Sequence, residues 1–130
     1  MRLETQRLVL YTVSHDSHNI IVIGTNDCDM AIAANRLKEI GGGNVIVKDG
    51  KAVKEMPLPL GGLMSDKKVS DVAKMCEDTR GYVHALGVPE NIAPFMNMAF
   101  VSLPVIPHIK LTTKGLFDVD AFCPVSLAAE

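Results

Sequence analysis

His15-Asp16-Ser17-His18-Asn19-Ile20-Ile21-Val22-Ile23-Gly24-Thr25-Asn26-Asp27 is the stretch on which the reading of the fold turns. Polar side chains, two of them imidazoles, run directly into an unbroken β-branched segment. Ile20 to Ile23 reads as a strand, and its lack of polar alternation predicts cover on both faces. Gly24-Thr25-Asn26-Asp27 then turns the chain into a helix. Thr25 or Asn26 can cap it, and Asp27 and Asp29 suit its positive N-terminal end. Polar groups at the lip of a buried strand are costly unless each finds a partner. The run from His15 to Asn19 is therefore the first candidate for a site.

Working outward, Leu8 to Val13 is β-branched and apolar and predicts a preceding strand. Downstream, Met30, Ala33, Ala34, Leu37 and Ile40 recur at helical spacing and form one apolar face. Gly41-Gly42-Gly43 ends that helix, since glycine accepts the left-handed conformation of a helix terminus. Asn44 to Lys48 and Ala52 to Met56 flank Asp49-Gly50, a strong hairpin signal. Pro57-Leu58-Pro59 ends the pairing. Leu60-Gly61-Gly62-Leu63-Met64-Ser65-Asp66 is a glycine-bearing loop leading to a second helix, with Ser65 or Asp66 as its cap. Val69, Val72, Ala73, Cys76, Val83 and Leu86 make that helix's buried stripe, and Gly87 ends it. Phe95 to Val101 reads as a strand cut off by Pro104 and Pro107, and weaker strand signals follow at Lys110 to Thr112 and Phe117 to Val119. The expected architecture is α/β: residues 1–130 as a single-domain sandwich of a mixed β-sheet with two main helices, with no linker to divide it.

Composition narrows the function. The chain has 130 residues, 48% apolar and 22% charged, a soluble globular profile. Its net charge of −2, with no Lys/Arg block, argues against nucleic acid or an anionic membrane as partner. No apolar stretch resembles a signal core or approaches a membrane span. Cys28, Cys76 and Cys123 are odd in number and form no CxxC pair, which predicts a reducing, cytoplasmic setting with all three thiols filling core.

The motifs point to a lined pocket more than to a recognised catalytic box. His15-x-x-His18 has metal-ligand residue types, with Asp16 able to join or orient one imidazole. It lacks a third ligand, and His84 and His108 stand in unrelated contexts. A second reading is a hydrogen-bonded turn in which Asp16 and Asn19 satisfy backbone amides. A third is that His15, Asp16, Ser17, His18 and Asn19 line a site without holding metal. The crossover after Ile23 has no GxGxxG, and its two aspartates would repel a phosphate. A zinc deaminase signature and a GxSxG elbow are also absent. Gly61, Gly62, Ser65 and Asp66 read either as a glycine approach to a bound ligand or as a plain helix cap. Met30, Met96 and Met98 read as core.

Taken in order, several stretches resemble the C-terminal region of bacterial adenine deaminase, in the amidohydrolase superfamily. They are His15 to Asp27, Asn35-Arg36-Leu37 with Gly41-Gly42-Gly43, Pro57 to Asp66, Pro94-Phe95-Met96, and Leu103 to Pro107 with Leu111-Thr112-x-x-Gly115-Leu116. The ordered set covers nearly the whole chain, from about Leu8 to about Val119. The resemblance implies hydrolysis of the 6-amino group of adenine to give hypoxanthine and ammonia, by a barrel enzyme using manganese or iron. That barrel and its His-x-His ligands have no counterpart here, so no metal ligand carries over. His15-Asp16-Ser17-His18-Asn19 carries over as the segment facing the barrel's mouth and the bound purine. The expected partners are adenine or a related purine and an amidohydrolase barrel polypeptide. An alternative is a stand-alone binding or assembly module. In either case, apolar surface meant for a barrel predicts a homo-oligomer when the barrel is missing. A small independent enzyme built on His15, Asp16 and His18 is a third possibility, but nothing else in the chain converges on it.

Overall fold

The computed structural model describes residues 8–14 and 17–126. The elements run β1 (Leu8–Tyr11), β2 (Ile21–Gly24), α1 (Asp27–Glu39), β3 (Gly43–Lys48), β4 (Lys51–Pro57), α2 (Val69–Ala85), α3 (Pro94–Ala99), β5 (Ile109–Thr112), β6 (Gly115–Asp118) and β7 (Cys123–Pro124). One sheet has the order β2-β1-β3-β4, and a second, smaller sheet has the order β5-β6-β7.

The α/β sandwich is present, but its pairing is antiparallel throughout and not mixed. The reason is the position of β1. It lies between β2 and β3, with Leu10 opposite Val22 on one side and Val45 on the other. The α1 crossover thus joins two strands that run the same way but are not neighbours. Each meets β1 instead, and meets it antiparallel.

β3 holds the layers together, because alternate residues of a strand face opposite sides. Val45 and Val47 pack with Ala33 and Leu37 of α1, and Met30, Ala34 and Ile40 complete that cluster. Ile46 points the other way and packs with Val83 and Leu86 at the end of α2, against Tyr82, Val88 and Phe95. The result is helix, sheet and helix in three layers.

Helix α1 forms as its sequence dictates. The Asn26 side chain accepts from Asp29 N at 2.8 Å, and Asp27 and Asp29 sit in the first turn. Asp29 Oδ1 also accepts from Gly50 N at 2.8 Å, tying the hairpin turn to the helix. The Arg36 guanidinium grips both carboxylate oxygens of Glu55 on β4, at 2.6 and 3.0 Å. That grip holds the Glu55 carboxyl below its ordinary value. The stabilisation is therefore complete above the unfolded glutamate pKa, about 4.3, and is lost as pH falls through the lower folded value. Arg36→Met should flatten the acid limb of a stability-against-pH curve in that window and leave its shape near neutrality unchanged.

Several local expectations differ from the structure. β2 is an edge strand, not a covered one; Ile23 is 51% exposed and the adjoining Ile20 53%. Phe95 to Val101 is not a strand, because Pro94 starts α3 at its first turn, where its fixed φ suits a helix. Phe95, Met98 and Ala99 stand at helical spacing, and the latter two are buried. α2 begins at Val69 behind Lys68, without a side-chain cap; Ser65 Oγ instead accepts from Lys67 N at 3.1 Å. All three cysteines are exposed and none fills core. Of the three methionines expected in the core, Met98 is buried, Met30 packs on the α1 cluster, and Met96 is 61% exposed.

Candidate functional site

The loop joining β1 to β2 carries the polar run. Its base is fixed by three serine hydroxyls. Ser14 Oγ lies 2.8 Å from Ser17 Oγ and 2.5 Å from Ser102 Oγ, and Ser17 Oγ lies 3.0 Å from Ser102 Oγ. Three hydroxyls in mutual reach can each donate one bond and accept one, closing a ring in which no proton is wasted. Ser14 is fully buried and Ser102 nearly so. Ser14 O also accepts from His18 N at 2.8 Å, which closes the loop into a tight turn. His18 takes a left-handed φ of 49° there, a conformation that histidine tolerates better than most residues.

Of the predicted site residues, Ser17, His18 and Asn19 are placed on this turn, with Ser17 and His18 exposed and Asn19 half-buried. His15 and Asp16 lie outside the described residues. Asn19 borders a cleft of about 310 Å³ between β2 and the loop before β5, together with Ile21, Val101, Ser102, Leu111 and Thr113. Ser102→Ala removes one member of the hydroxyl ring and should destabilise the protein by about 1–2 kcal/mol. Amide exchange should then rise at His18 more than in β3; equal change in both would mean that the ring does not hold the loop.

The glycine loop meets the same base from the other side. Thr12 Oγ1 donates to Gly62 O at 2.6 Å and accepts from Gly43 N at 2.7 Å. Leu60 and Met64 bond to one another, which folds Gly61 and Gly62 into a tight reversal with φ of 67° and 74°. Gly62 packs on Gly42, where a Cβ on Gly42 would overlap Gly62 Cα. The structure therefore brings the start of the polar loop and the glycine loop together through Thr12. Ser65 borders a different and larger cleft, of about 560 Å³, between the sheet and α2. Asp66 is exposed.

Among the described residues, no three or more His, Cys, Asp or Glu side chains are grouped so as to hold a metal ion. His84 is hydrogen-bonded through Nδ1 to Val88 O at 3.0 Å, and exposed His108 pairs with Asp120. No helix among the described residues is long and apolar enough to cross a membrane.

Sequence reasoning missed Thr12, Ser14, Asn44 and Ser102. Asn44 had a signal, as the one amide in the apolar run Asn44 to Val47, on the face of Ile46. Ser102 had none, because it reaches Ser14 across 88 residues.

The family described as adenine deaminase C-terminal domain matches residues 7–123. The chain is 47% identical over 116 residues to the adenine deaminase of Bacillus subtilis, covering 89% of this chain and 20% of that protein. It is 51% identical over 118 residues to adenine deaminase 2 of Carboxydothermus hydrogenoformans, covering 89% and 21%. It is 55% identical over 112 residues to the adenine deaminase of Brucella anthropi, covering 85% and 20%. The chain thus spans about a fifth of the length of these relatives. With a family match running from the first strand to the last, the chain belongs to the adenine deaminase C-terminal domain family.

Proposed function

We propose that this domain is the accessory lobe of an adenine deaminase, shaping the pocket in which adenine and water give hypoxanthine and ammonia. The observation that carries the reading is the family match over residues 7–123, set against coverage of only a fifth of each deaminase. The described residues do not fit the manganese or iron centre that the family resemblance implies, since no suitable ligand group exists among them. The metal-bearing barrel is then another polypeptide segment, and this chain is silent alone. The reducing cytoplasm is the compartment that suits three exposed free thiols.

The chemistry of the polar loop suits a purine. Adenine presents ring nitrogens that accept and an amino group that donates. Imidazole, carboxylate and carboxamide groups match those edges, and Asp16 can set a histidine tautomer. His15, Asp16, Ser17, His18 and Asn19 are the lining residues in this reading. Replacing the counterpart of His18 by Ala in the full-length Bacillus subtilis relative should lower kcat/KM for adenine by at least tenfold. Unaltered kinetics in a folded variant would remove the loop from the site.

A second reading, a stand-alone assembly module, is favoured by the apolar side chains left open on β2 and β5. Ile20 and Ile23 are about half exposed, as are Ile109 and Leu111. One experiment separates the two. Adenine deamination is measured for this chain with added manganese or iron, alone and mixed with a barrel-only fragment of a relative. Turnover only in the mixture supports the accessory lobe. No turnover in either, with a homo-oligomer by light scattering, supports the module.

A further inference from the structure

The larger cleft has a different origin from the polar loop, and its walls say what would fill it. α2 carries an apolar stripe along its length; its C-terminal end packs on the sheet through Val83 and Leu86 against Ile46, and Cys76 at its middle reaches Met56 of β4, Sγ to Sδ at 3.8 Å. The first turn stands off. Val69 is 86% exposed, Cys76 is exposed and Val72 is only half-buried. The gap beneath is the cleft of about 560 Å³, floored by Asn44 and Met56 and flanked by Leu58, Leu63 and Val72.

Asn44 is the unusual member. It is 6% exposed, and its Oδ1 has no hydrogen-bond partner. Its Nδ2 has only the Met56 sulfur, at 3.7 Å, a weak acceptor. Buried amide atoms are rarely left so, because an unmade bond forfeits the hydration each atom had in the unfolded chain. The Met56 sulfur is shared with Cys76 Sγ at 3.8 Å, so a ligand acceptor that engages Nδ2 has only weak sulfur contacts to replace.

We propose that this cleft binds a flat heteroaromatic molecule bearing an N–H donor beside a ring-nitrogen acceptor. A carboxamide offers an acceptor and a donor in one plane, and such an edge is its complement. Apolar walls sandwich the ring faces, and the volume falls within the range of small-ligand pockets. The site is separate from the cleft beside Asn19 and does not depend on the purine reading of the polar loop.

The test is an NMR titration of the isotope-labelled chain with 7-azaindole, which has the required edge, and with 1-methyl-7-azaindole, which lacks the N–H. The expected result is saturable shifts of the Asn44 side-chain amide and of the Leu63 and Val72 backbone amides. Affinity for 7-azaindole should be at least tenfold higher than for the methylated probe. Asn44→Leu should abolish that preference. Should that variant fail to fold, Val72→Trp, which fills the cleft from the helix side, should abolish the shifts. Equal response to the two probes, or shifts confined to other surfaces, overturns the proposal. So does movement of the same resonances on diluting the protein without probe, because a second copy would then be the occupant.

Discussion

Gly42→Ala is expected to lower the melting temperature by about 12 °C or more. Gly42 has a φ of 108°, a region closed to L side chains, so a methyl group there is strained whatever the space. There is also no space. The new Cβ would overlap Gly62 Cα, and backbone atoms cannot turn aside as a side chain can. Strain of this class costs up to about 3 kcal/mol before the clash is counted. In a domain of this size each kcal/mol shifts the midpoint by about 4 °C. Gly41→Ala is the control. It has a φ of 78° but nothing within 4 Å of a new Cβ, so it should lose only the strain, about 1 kcal/mol. Equal losses in the two variants, measured by thermal melts, would show that the Gly42–Gly62 contact is not tight in solution.

Thr12→Val should destabilise by about 2–4 kcal/mol, although it barely changes side-chain size. The hydroxyl joins Gly43 N to Gly62 O, and the substitution leaves a buried donor and a buried acceptor unpaired, at about 1–3 kcal/mol each. Thr12→Ser keeps both bonds and should lose less than about 1 kcal/mol. Because Thr12 and Gly42 secure the same loop, the double variant should lose less than the two single losses added. Full additivity in urea titrations would mean that the glycine loop is held at two independent points.

The parts of the fold written in local sequence were legible. The Asn26 cap with its acidic first turn, the glycine stop at Gly41 to Gly43 and the Asp49-Gly50 turn each encode their structure within a few residues. What depends on distant chain was not. Ile20 to Ile23 is apolar enough for a covered strand, but periodicity cannot say which residues supply the cover, and within this chain Ile20 and Ile23 stand about half exposed. α2 has one continuous apolar stripe, yet its first turn stays open, with Val69 86% exposed, while its C-terminal end packs on the sheet. Phe95 to Val101 has β-like composition, and the helix was written in Pro94 and in the spacing of Phe95, Met98 and Ala99 instead. For the site, the turn holding Ser17, His18 and Asn19 was indicated by the sequence. Its anchor on Ser102 was not, because a hydroxyl pair 88 residues apart has no local pattern.

The central place of β1 has a mechanical consequence. Leu8–Tyr11 is bonded along both sides, to β2 and to β3. Tension applied along it would have to shear two ladders at once, whereas a rim strand would peel from one. β1 is thus a stiff element, and a pull on it reaches β2 and β3 together before either ladder yields.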